Sequence, residues 1–110
     1  MVENITKNQL KEKLDNEANL KLVNVLPKEN FEEKHIPGSL NIPVDQIEEK
    51  APQRLDKNEK IVVYCANFEC SASPKAAEKL EKLGYKNVYD YEGGIEDWQD
   101  AGFKLVEATA

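Results

Sequence analysis

The chain is poor in arginine, in metal ligands and in long apolar runs. Arginine occurs once, at Arg54, and the formal net charge is −6. That balance argues against nucleic acid, whose backbone is bound through many Lys and Arg contacts. Histidine occurs once, at His35, and cysteine twice, at Cys65 and Cys70. Two cysteines do not make a disulfide framework, and a zinc centre would usually take four N or S ligands at tighter spacing. No metal and no other cofactor is therefore expected. No apolar run approaches the roughly 20 residues needed to cross a bilayer. Met1-Val2-Glu3-Asn4 lacks the positive-then-apolar pattern of a signal peptide. The expectation is a cytoplasmic protein with no membrane partner. The sequence carries no signal for oligomeric state.

What is present is globular in composition: 110 residues, 33% charged and 40% hydrophobic. That length suits one small domain with one core, with a tail that is loose after about Val106. Apolar periodicity predicts helices and strands in alternation. Thr6 caps a helix over 7–15, and Leu20 to Leu26 reads as a strand ended by Pro27. A short helix over 28–34 carries Phe31. The turn His35-Ile36-Pro37-Gly38 leads to a short strand over 39–42, and Pro43 opens a helix over 44–50. A polar connection over 51–59, with room for one helical turn, precedes a strand over 60–64. A helix over 74–83 ends at Gly84, a strand covers 87–91, and a helix over 95–101 carries Trp98. This alternation implies an α/β domain with a largely parallel sheet and helices on both faces.

Cys65 is the most informative residue. It follows the apolar run Ile61-Val62-Val63-Tyr64, and eight residues later Ser73-Pro74 opens a strong helix former. Ser is a good N-cap, and Pro is tolerated at the first helical position. The thiol thus stands at the carboxyl end of a strand, in a loop that runs into a helix N-terminus. That edge is where ligands bind in such sheets, and the free amides and helix dipole there favour a thiolate and bind anions. Cys65 is expected to be the more acidic of the two thiols. A buried cysteine used as a small hydrophobe is the alternative reading.

Five segments in order resemble one known family, the single-domain rhodanese-like (sulfurtransferase homology) proteins. They are Leu22-Val23-Asn24-Val25, the stretch from Phe31 to Pro43, Ile61-Val62-Val63-Tyr64-Cys65, the stretch from Gly84 to Tyr89, and Gly93-Gly94-Ile95-Glu96-Asp97-Trp98. The resemblance implies a rhodanese-like fold and a sulfurtransferase or sulfur carrier. Cys65 would be the catalytic residue, taking a sulfane sulfur as a persulfide. Ala66, Asn67, Phe68, Glu69, Cys70, Ser71, Ala72 and Ser73 would form the substrate-binding loop. The partners implied are a small sulfur donor and a thiol acceptor, either a small thiol or a partner protein.

The chain departs from the family pattern in three places. The usual loop runs Cys-x-x-Gly-x-Arg-Ser, with the serine three residues before an Ala-Ala pair. Here that serine is Ser73, eight residues after Cys65 rather than six. Either the loop is two residues longer or the helix begins earlier and is itself extended. The loop arginine has no counterpart, and Glu69 is an anion, so thiosulfate is expected to be a poor donor. The strand-end Asp is Asn24, with Leu26 in place of the common Arg. Asn24 can still hydrogen-bond the loop backbone. Cys70 adds a candidate resolving thiol, which also raises a thiol–disulfide redox or sulfur-sensing reading. Its alternative is a small loop residue packing inward. A weakly catalytic interaction domain is a third reading. His35 and Trp98 read as structural.

Overall fold

The computed structural model describes residues 2–16 and 20–107. Five strands form one parallel sheet: β1 (Glu3–Asn4), β2 (Leu20–Asn24), β4 (Leu40–Asn41), β5 (Lys60–Tyr64) and β6 (Asn87–Tyr91), in the order β1-β6-β5-β2-β4. β5 is central, with Val63 beside Val23 on one side and Asp90 on the other. Its residues are apolar on both faces because helices cover both.

Side chains alternate between the faces. Val23, Ile61, Val63 and Val88 pack under α3 (Ile47–Arg54) and α4 (Ala72–Lys82). Leu22, Val62, Tyr64 and Tyr91 pack with Leu10 of α1 (Lys7–Asn16) and Trp98 of α5 (Gly94–Asp100). Small Ala76 and Ala77, both fully buried, let α4 sit close to the sheet. Gly84 ends α4 at φ +99°, and the Tyr85 N–H then reaches back to the Leu80 carbonyl at 3.1 Å.

Local chemistry sets most boundaries. Thr6 and Gln9 exchange bonds, Gln9 N–H to Thr6 Oγ1 at 3.2 Å and Thr6 N–H to Gln9 Oε1 at 3.0 Å, a capping box that starts α1. α2 (Lys28–Glu33) follows Pro27 as expected.

The helix predicted over 44–50 is instead a 3-10 turn, Val44–Gln46, followed by α3 to Arg54. The supposed polar connection after it contains Ala51, fully buried, and Leu55, 6% exposed. Those two apolar side chains carry the helix through Pro52. Val106–Glu107 forms β7, antiparallel to β3 (Lys34–His35), at the start of the tail expected to be loose after about Val106. Residues 108–110 of that tail lie outside the described residues. Among the described residues no helix is long and apolar enough to cross a membrane.

Candidate active site

Cys65 is the first residue after β5, at the carboxyl edge of the central strand. The residue before it is locked from below. Tyr64 Oη accepts the Ile36 N–H at 3.0 Å and donates to Ser39 Oγ at 2.8 Å, and Ser39 donates to the Ile36 carbonyl at 2.7 Å. This closed ring gives the His35-Ile36-Pro37-Gly38-Ser39 segment its purpose, which is to brace the end of β5. Burial pushes the Tyr64 phenol above its ordinary range, so it stays a neutral donor.

The residues after β5 are held from the side. The Ile95 N–H donates to the Cys65 carbonyl at 3.0 Å and the Glu96 N–H to the Ala66 carbonyl at 2.9 Å. Gly94 makes this grip possible. Its φ is +62°, and a Cβ there would lie 2.4 Å from the Cys65 carbonyl oxygen and 2.8 Å from the Ala66 carbonyl carbon. Gly93-Gly94 stands out in the sequence as part of a family motif, but only the fold shows that it clamps the cysteine.

The loop is residues 66–71. α4 begins at Ala72, two residues before the predicted start, and Ser71 rather than Ser73 is its N-cap. Ser71 makes no side-chain capping bond. The two surplus residues are thus absorbed as helix, and the loop is not widened. Ser71 stands six residues after Cys65, the family's serine spacing, which puts Cys70 where the family has its arginine. Ala72 and Ser73 are first-turn helix residues, and Ser73 is fully buried.

Cys65 and Cys70 form a disulfide, with Cα atoms 6.4 Å apart. The loop's own turn brings them together. The Cys70 N–H donates to the Asn67 carbonyl at 3.1 Å, and the Glu69 N–H to Asn67 Oδ1 at 3.0 Å. Those two amides serve the turn rather than an anion. Phe68, at its tip, is 70% exposed.

A cleft of about 260 Å³ adjoins the loop, lined by Ala66, Asn67, Glu33, Lys34, Ile95 and Glu96 among others. Lys34 is a cation that no sequence motif places there. It is shared with Gln99 Oε1 at 3.2 Å and Glu107 at 3.7 Å. Arg54 is spent elsewhere, on the Asn41 carbonyl at 3.0 Å. Asn24 Oδ1 accepts the Leu26 N–H at 2.9 Å, within its own strand end. His35 donates through Nδ1 to the Phe31 carbonyl at 2.8 Å and stacks on the Phe31 ring. Trp98 is core, with Nε1 bonded to the Lys104 carbonyl at 2.9 Å.

Asp90 carries no sequence motif. It pairs in register with Val63, so it shares the α4 face with Cys65. It is 2% exposed, and neither its Oδ1 nor the Ser73 Oγ has a hydrogen-bond partner among the described residues. Burial pushes the Asp90 carboxyl up to about 6, and the charge of Glu92 adds to the shift.

An unfolded Asp titrates at about 3.9, so the native state holds this proton more tightly. The resulting stability is present below about pH 4 and is lost as pH rises through about 6. Asp90→Asn keeps the neutral form at every pH. It is expected to raise stability at pH 8 by about 1–2 kcal/mol relative to wild type, with no such gain near pH 4. Urea midpoints of both proteins at both pH values check this. A difference that does not change with pH would contradict it.

The sequence profile of the rhodanese-like domain matches residues 6–101, and the chain belongs to that family. It is 33% identical over 88 residues to YrkF of Bacillus subtilis, whose name describes a sulfur carrier. That match covers 80% of this chain and 46% of the relative. It is 30% identical over 78 residues to thiosulfate sulfurtransferase GlpE of Coxiella burnetii, covering 71% of this chain and 70% of the relative. The chain therefore spans about half of the first relative and most of the second. Among solved structures, protein BH2092 of Bacillus halodurans superposes with a TM-score of 0.89 at 29% identity, covering 96% of this chain and 77% of that one. A rhodanese-related protein of Thermoplasma volcanium gives 0.80 at 30% identity, covering 94% and 97%. Sulfurtransferase activity is supported at the level of the family.

Proposed function

We propose that the protein is a sulfurtransferase or sulfur carrier that works through a persulfide on Cys65. The observation that carries this is the fixed position of Cys65. It stands at the end of the central strand, next to the braced Tyr64, with its carbonyl held by Ile95 and its side chain in the apolar layer shared with Ala76 and Ala77 of α4. In the dithiol form the Cys65 thiolate attacks the outer sulfur of a donor. The donor's S–S bond breaks, the donor leaves as its own anion, and the sulfur stays on Cys65 as a perthiolate. The helix dipole and first-turn amides of α4 favour that charge. An acceptor thiolate then attacks the outer sulfur, and Cys65 departs as the thiolate. The acceptor is a small thiol or a protein cysteine.

A second reading is favoured by the Cys65–Cys70 pairing. The Cys70 thiolate attacks Cys65 Sγ of the persulfide, hydrosulfide leaves, and the disulfide forms. The protein would then reduce sulfane sulfur and be returned to the dithiol by an external thiol.

The test is intact mass after reduction, excess-reductant removal and treatment with polysulfide or, separately, thiosulfate. Gain of one sulfur is expected. Loss of two hydrogens favours the second reading, and no change on either treatment sinks both. Polysulfide should load faster than thiosulfate. No arginine stands in the loop, and Glu33 and Glu96 face the adjoining cleft beside Lys34. One or two missing charge-assisted bonds, at about 1.5–3 kcal/mol each, correspond to roughly ten- to several-hundred-fold weaker binding of the dianion. Faster loading from thiosulfate would mean that amides and Lys34 suffice.

A further inference from the structure

The two sulfurs of the disulfide are not equivalent. Cys65 has no exposed surface, while Cys70 is half-buried on the loop. Cys65 packs in the apolar layer with Val63, Ala76 and Ala77, and its carbonyl and that of Ala66 are held by α5. Cys70 lies on a turn whose bonds are local to Asn67, two residues beyond the exposed Phe68. A thiolate must approach a disulfide along the S–S axis, from behind the sulfur it attacks. Cys65 offers no exposed surface to such an approach, whereas Cys70 is partly exposed.

We infer that the disulfide is opened from the Cys70 side, with Cys65 as the leaving thiolate. This rests on the redox reading of the site. An incoming thiolate forms a mixed disulfide with Cys70, the Cys65–Cys70 bond breaks, and the electron pair goes to Cys65. A second thiolate then attacks the incoming group's sulfur and frees Cys70. Two thiols become one disulfide, and the two electrons they give up reduce the protein. The closed form has no Cys65 thiolate to accept sulfur. Opening at Cys70 is therefore the step that switches the carrier on, and Cys70 is the residue that meets the reducing thiol.

The test uses the wild-type protein. It is oxidised mildly, and loss of two hydrogens is verified by intact mass. It is exposed briefly to glutathione, quenched in acid, alkylated with N-ethylmaleimide at pH 5 and mapped by peptide mass spectrometry. Glutathione on Cys70 with maleimide on Cys65 is expected in roughly tenfold excess or more over the reverse. Glutathione on Cys65 with maleimide on Cys70, or an even mixture, overturns the inference while the redox reading survives. If mild oxidation never removes two hydrogens, both fall. A persulfide found on Cys65 in the same protein would leave the carrier reading standing alone.

Discussion

Replacing Cys65 by Ser is expected to lower sulfur transfer at least about a thousandfold and to leave the fold intact. A serine hydroxyl is almost wholly protonated at neutral pH, and its oxygen cannot form the S–S bond that carries the cargo. Ser is close in size, and the side chain sits in the layer formed by Val63, Ala76 and Ala77, so packing changes little. The new hydroxyl has a partner within reach, because Cys65 Sγ lies 3.6 Å from the Cys70 carbonyl oxygen. Cys70→Ser is the paired control. It should still gain one sulfur from polysulfide but never lose two hydrogens. Steady-state transfer to a thiol acceptor, intact mass and thermal melting are measured together on both variants. Transfer by Cys65→Ser within about tenfold of wild type would move the chemistry to Cys70 and overturn the assignment.

The fold was legible wherever one local rule governed a segment. Lys60–Tyr64 and Asn87–Tyr91 are short apolar strands that must be buried on both faces, and their bounds match those expected from sequence. Boundaries moved where tertiary packing overrode a local signal. Ser73-Pro74 has the look of an N-cap and first helical residue, yet α4 starts at Ala72, and Ser73 is a fully buried residue of its first turn. The helix expected to end at Lys50 runs on to Arg54, because Ala51 and Leu55 both belong in the core under α4. β3 and β7 pair only two residues each, too few for any periodicity to register.

The proximity of Cys65 and Cys70 was legible in the sequence, and what holds them was less so. Cys65 is marked by the apolar run before it, and the five-residue separation from Cys70 permits the observed 6.4 Å between Cα atoms. Asp90 gave no signal because one acid in Asn87–Tyr91 looks like any solvated charge. Only strand register places it on the α4 face. Lys34, in β3, reaches the cleft beside α5 and bonds Gln99, 65 residues away in sequence. The Ser39–Tyr64 bond spans 25 residues and is equally invisible to local pattern.

Gly94→Ala is expected to be the most damaging substitution outside the two cysteines. Gly94 has φ +62°, a region that costs a non-glycine residue about 1 kcal/mol or more on its own. The added methyl costs more than that. Its carbon would lie 2.4 Å from the Cys65 carbonyl oxygen, 2.8 Å from the Ala66 carbonyl carbon and 2.9 Å from the Asn67 nitrogen. All three are backbone atoms, so no side chain can swing aside. α5 must move away from the loop, and that breaks the bonds from Ile95 and Glu96 to the Cys65 and Ala66 carbonyls. Together these effects cost about 3 kcal/mol or more, a fall in Tm of roughly 10 °C or more for a domain of this size. Sulfur loading should fall further than stability does, because the bonds lost are those that fix Cys65. Gly102→Ala is the matched control. Its φ is +83°, yet nothing lies within 4 Å of the added methyl, so it isolates the conformational cost. Melting curves and polysulfide loading rates of the two variants decide the matter. Equal behaviour would show that Gly94 is a backbone requirement only, and that the grip of α5 on the cysteine loop is dispensable.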